Sequence, residues 1–244
     1  MGKRKECFFK KGRFEVKIKK IYLIILCCCT AGCISTERGV TTSSDYTVKN
    51  VFYSEAMPKL KLKISDEFEY LGSNKTKQRK DFSDSDGSYN NKVESYAFAV
   101  FNEESLDRLV LITLHHMNRG YWLPDLFGYV KHKIEHDMIK ILDKSYHSCM
   151  WASREKKRKW VDNVEDKGFF TYKTGLIKSF ARRVGLDNRR SIYIAYVENL
   201  QRCENGIYDD PKSWKNPSAL LESQREFIKN FKERAGMAIE FLPY

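Results

Sequence analysis

His132, Glu135 and His136 carry the sharpest chemical pattern in the chain, His-x-x-Glu-His. Two His four residues apart share one face of a helix and can hold one zinc ion, and a Glu between them can activate a metal-bound water. Other candidates are weaker. His115 and His116 are adjacent at the end of an apolar run, and on a strand they point to opposite faces, so they do not readily chelate one metal. Phe82 to Gly87 looks like the start of a calcium loop, but Phe82 stands at the first ligand position and Val93 where a Glu is required. Arg154 to Lys159, between Trp151 and Trp160, is a basic run that could touch anionic head groups or an acidic polysaccharide. A solvated charged turn is the favoured reading of such a run. There is no P-loop, no dinucleotide fingerprint and no Gly-x-Ser-x-Gly.

Over its five residues, His132 to His136 resembles the motif of inverted zinc peptidases. The resemblance implies zinc on His132 and His136, with Glu135 as the base. Those enzymes add a distant Glu ligand, and nothing singles one out among Glu198, Glu204, Glu222 and Glu226. At 100° per residue the triplet also falls opposite the apolar stripe of the helix that would carry it. A solvated polar face is therefore the leading reading, and no cofactor is expected. The zinc-dependent hydrolase stays as the alternative.

The elements that must position these residues read as an α+β domain, a mostly antiparallel sheet with two amphipathic helices packed on it. Leu60 to Ile64 alternates strictly and reads as a half-exposed strand, with Phe68 to Leu71 as a possible partner. Residues 72–91 are polar and read as a long loop. Tyr96 to Phe101 and Leu109 to Leu114 are apolar on both faces, as central strands are, with a turn over 102–105. Tyr146 to Trp151 and Ser191 to Val197 read as further strands. Pro124 and Asp125 open the first predicted helix, with Leu126, Phe127, Val130, Ile134, Met138 and Ile141 at spacings of three and four. The second starts at Asn216 and Pro217, carries Leu220, Leu221, Phe227, Ile228 and Phe231, and ends at Gly236.

The N-terminus has a different character. The net charge of the 244 residues is +12, yet nine Lys or Arg and only two Glu fall in residues 1–32. The remainder holds 35 basic and 30 acidic groups, an ordinary surface, so a nucleic-acid partner is not expected. The basic start precedes an apolar run from Ile21 to Cys29, then Thr30, Ala31, Gly32 and Cys33. This run is short for a bilayer span, which takes about 20 residues. The arrangement resembles the signal of bacterial lipoprotein precursors, with Ala31, Gly32 and Cys33 matching the lipobox and Thr30 standing where Leu is usual. The resemblance implies cleavage after Gly32 and a lipid-modified Cys33 anchored in a membrane of the cell envelope. An uncleaved signal-anchor helix is the competing reading. By the same resemblance Ile34, not being Asp, favours the outer membrane facing the periplasm, if the organism is Gram-negative.

The organisation is then a signal over 1–32, a lipidated tether over 33–50 and one folded domain over 51–244. Cys149 and Cys203 are left in the domain after Cys33 is lipidated. Export places them where disulfides persist, so they are a candidate pair, with two buried thiols as the alternative. The leading function is a membrane-anchored, non-catalytic binding or accessory domain, whose partner is an envelope protein, an anionic lipid or a polysaccharide.

Overall fold

Pairing of alternating and doubly apolar segments builds two antiparallel sheets. Described in the computed structural model are residues 46–47, 50–54, 59–81, 88–103, 105–118, 125–154, 174–200, 211–214 and 216–243. All lie in one compact unit, Thr41–Tyr244. The lipobox-like segment, most of the expected tether, the calcium-like segment over 82–87, Cys203 and most of the basic run fall outside them.

In chain order the strands are β1 (Tyr46–Thr47), β2 (Val51–Ser54), β3 (Leu60–Ile64), β4 (Glu69–Asp81), β5 (Ser88–Asn102), β6 (Ser105–Met117), β7 (Glu135–Ile141), β8 (Lys144–Arg154), β9 (Thr174–Val184) and β10 (Arg190–Asn199). Helix α1 (Glu222–Ala238) and β11 (Ile239–Leu242) complete the described elements, with short 3₁₀ turns at Pro211–Trp214 and Pro217–Ala219. The small sheet runs β1-β2-β3-β11, the large one β4-β5-β6-β10-β9-β8-β7.

Helix α1 and the small sheet pack on one face of the large sheet. Phe52, Leu62 and Ile64 from the small sheet join Phe98, Val110, Ile112, Ile194 and Tyr196 from the large one, with Ile228, Phe231 and Ala235 of the helix. Ring contacts mark the seams, with Phe52 4.8 Å from Tyr96 and Phe231 5.4 Å from Tyr196. The opposite face of the large sheet buries Ala97, Ala99, Leu109, Leu111, Ala195 and Val197. Strands β5, β6 and β10 are thus apolar on both faces because both faces are buried.

The structure corrects the α+β expectation of two amphipathic helices packed on a sheet. It is mostly β, with one α-helix among the described residues. The helix expected from Pro124 to Ile141 is replaced by a turn over 126–129 and strand β7. A spacing of three and four over so few apolar residues also fits a turn followed by an alternating strand, and the ladder offered by β8 decides between them. Met138, assigned to the apolar stripe, is 58% exposed. The expected loop over 72–91 is largely the β4–β5 hairpin, whose exposed residues Ser73, Lys75 and Lys77 give it the composition of a loop. Strand β4 pairs with β5, not with β3, which lies between β2 and β11.

The second helix is present but displaced. Asn216 caps the 3₁₀ turn, its Oδ1 accepting from the Ser218 N–H at 3.3 Å. Helix α1 begins at Glu222, where buried Gln224 folds back and accepts the Leu221 N–H at 2.9 Å. Gly236 lies inside the helix, which runs on to Ala238 and passes directly into β11.

Candidate functional site

Asp125 opens a turn because its side chain replaces a backbone acceptor: Oδ1 takes the Phe127 N–H at 2.8 Å. Phe127 is fully buried and anchors that turn on the second face of the large sheet. Its ring lies 5.7 Å from Trp151, 5.8 Å from Tyr193 and 6.1 Å, edge-on, from His136. Trp151 is therefore a wall of this cluster, not an exposed flank of the basic run.

Strand register brings in the remaining groups. His136 on β7 faces Cys149 on β8, and Met138 faces His147. His136 and His147 are thus diagonal neighbours on one face. Their rings stack at 6.0 Å with an interplanar angle of 19°. Asp125, His136 and His147 place one potential ligand atom each within 4.8 Å of one another. The Asp125 Oδ1 to His136 Nε2 separation is 3.7 Å, and Lys133 Nζ holds the other carboxylate oxygen at 3.1 Å.

The electrostatics favour donor forms. Desolvation pushes the Asp125 carboxyl up, but the Phe127 N–H, the Lys133 bond and the Lys133 and His136 charges outweigh it, and the net shift is downward. Burial, followed by the charge of His136, pushes the His147 imidazole down. Cys149 beneath them is a free thiol, fully buried, and desolvation pushes it up to about 12. It stays protonated at neutral pH and does not act as a thiolate nucleophile.

The His-x-x-Glu-His triplet is not assembled as a helical chelate. His132 sits exposed in a bend, ahead of the strand that carries the other two. Glu135 and His136 are adjacent on β7 and so point to opposite faces. Glu135 is held between two ammonium groups, Lys178 Nζ at 3.4 Å and Lys232 Nζ on α1. One of its oxygens is engaged by β9 and the other by helix α1, which removes the geometric basis of its role as a base. Asp125 and His147 were missed because no local spacing links either to His136; the register of β7 on β8 brings in His147, and the turn anchored by Phe127 brings in Asp125. Cys203, the expected partner of Cys149, lies outside the described residues.

A second feature lies at one end of the other face. Lys77, Lys92, His116 and Arg190 are direct cross-strand partners on four neighbouring strands. Both lysines are exposed, His116 and Arg190 half-buried. His115, next to His116 on β6, points to the opposite face. Burial first, then the charges of Arg190, Lys92 and Arg189, depress the His116 pKa, while Asp187 opposes them. A depressed folded-state pKa means that the unfolded chain takes up the proton first. The native state should lose stability as pH falls below about 6.5, the unfolded value. His116→Gln should flatten that loss in urea denaturation across this window; an unchanged pH slope would show that another group causes it.

Comparison of the chain with protein-family models, curated proteins and solved structures finds no match.

Proposed function

We propose that the chain is a lipid-anchored protein of the bacterial cell envelope, held at Cys33, whose β domain acts by binding an anionic partner rather than by catalysis. The lipobox-like Ala31-Gly32-Cys33 and the basic, then apolar, stretch before it support the anchor. The observation that carries the binding role is the row Lys77, Lys92, His116 and Arg190. Like charges placed directly opposite one another destabilise a sheet. An anion laid across the row would relieve that repulsion. No ion pair joins Lys77, Lys92 or Arg190 to a carboxylate among the described residues. The zinc hydrolase reading on His132, Glu135 and His136 has no support from the placement of Glu135.

The test has two arms. The wild-type precursor should yield a mature N-terminus at a lipid-modified Cys33 in mass spectrometry, and Cys33→Ser should stay full-length and unlipidated. The soluble chain from residue 34 should bind vesicles of anionic phospholipid at low salt. The triple variant Lys77→Gln, Lys92→Gln, Arg190→Gln should lose about 100-fold in affinity, at about 1 kcal/mol per cation. Equal binding by the triple variant would refute the row as the contact surface. Binding to soluble acidic polysaccharide but not to vesicles would assign the partner to the polymer.

A further inference from the structure

We propose that Asp125, His136 and His147 form a binding site for a divalent transition-metal cation of the zinc type, on the face of the large sheet away from helix α1. The donor set is two imidazole nitrogens and one carboxylate oxygen, a combination suited to zinc and its neighbours. The three ligands come from three separate pieces of chain, the turn opened by Asp125, strand β7 and strand β8. Their ligand atoms already lie within 4.8 Å of one another. Four-coordinate zinc with bonds near 2.0–2.1 Å sets its ligands about 3.3–3.5 Å apart. The Asp125 to His136 pair, at 3.7 Å, is close to that spacing, and the His147 ligand atom lies within 4.8 Å of both.

The surroundings are built to orient the ligands. The Phe127 N–H and Lys133 fix the Asp125 carboxylate, as outer partners of metal-binding carboxylates do. The edge-on contact with buried Phe127 and the stacked His147 ring restrict His136. Asp125 and His136 are exposed, so a fourth coordination position opens to solvent, where a water or a donor from a partner can enter. Buried Cys149 lies across from His136 in the strand register but is not among the three groups whose ligand atoms converge, so the site is an oxygen and nitrogen site. It shares His136 with the His-x-x-Glu-His motif and uses neither His132 nor Glu135. It is also independent of the anchor and of the basic row on the opposite face.

The probe is Co²⁺, titrated into the full-length chain in detergent and followed by visible absorption. The wild type should take up one Co²⁺ with the weak bands of nitrogen and oxygen ligation. Thiolate-to-cobalt absorption, at higher energy, reports the N-terminal cysteines separately. Each of Asp125→Asn, His136→Gln and His147→Gln should weaken the nitrogen/oxygen signal at least tenfold, and His132→Gln should leave it unchanged. Zn²⁺ should displace Co²⁺ and raise the melting temperature of the wild type, a rise that the three variants lose while remaining folded by circular dichroism. Absence of nitrogen/oxygen bands in the wild type, or bands of equal affinity in all variants, would overturn the proposal. So would a loss in His132→Gln equal to that in His136→Gln.

Discussion

Glu198→Ala is expected to destabilise the domain by about 3 kcal/mol, the lower end of the cost of breaking a buried ion pair. Glu198 is only 6% exposed and lies on β10 below helix α1. Its two oxygens accept from Arg234 Nε at 2.7 Å and Nη2 at 2.8 Å, and Oε1 also takes the hydroxyl of buried Tyr196. Removing the carboxylate strands a guanidinium and a phenol together. Arg234 keeps about a third of its side chain exposed, so water recovers part of the loss and the cost stays at the lower end of that range. Burial, then the Glu198 charge, raises the Tyr196 pKa, so this hydroxyl remains a donor throughout the neutral range. Urea denaturation with unchanged m should read the effect. Glu198→Gln, which keeps one acceptor, should cost less than Glu198→Ala. A change under about 1 kcal/mol would place the pair among surface bridges, which contribute little.

Phe127→Ala should cost about 3–4 kcal/mol, the usual range for deleting a fully buried phenyl ring. It should also act at a distance from its own contacts. The ring fixes the turn that begins at Asp125, through Trp151, Tyr193 and the edge of His136. Without it the Asp125 carboxylate loses its position relative to the two imidazoles. Co²⁺ affinity should fall about tenfold although no ligand is changed, as loss of an outer-shell support does. Phe127→Leu should recover most of the stability and part of the affinity. An alanine variant that melts like the wild type would show that the turn is held by its backbone alone.

The strongly apolar strands were legible in the sequence. Tyr96 to Phe101, Leu109 to Leu114, Tyr146 to Trp151 and Ser191 to Val197 all lie within β5, β6, β8 and β10. Each is apolar on the faces that it buries, and that property is local. Two elements were misread for opposite reasons. The stretch 72–91 is polar, and its described residues Ser73, Lys75 and Lys77 are exposed on β4, so composition hid a strand pair. Residues 124–141 carry a helix-like spacing because a turn happens to place Leu126, Phe127 and Val130 ahead of Ile134 and Met138. The metal ligands fared likewise. His136 stood out, but His147 joins it by cross-strand register and Asp125 by the turn that Phe127 anchors, neither of which a short motif records. Lys77, Lys92, His116 and Arg190 are scattered along the chain and become neighbours only when four strands align.

The β7–β8 hairpin closes through two residues, Leu142 and Asp143, both with positive φ, 46° and 61°, as a type I′ turn requires. This turn works as a parity bit for the strand behind it. Insertion of one residue there, with β8 left in place, moves β7 by one position and exchanges its two faces. His136 would then face helix α1 and its Lys232, while Asp137 would take its place opposite Cys149 and Glu135 would stand opposite Trp151 in the Phe127 cluster. One added residue would break the histidine pair and the lysine clamp together; two would shift the register and leave each side chain on its own face. The length of the loop, more than its composition, keeps the chemistry of the two faces apart.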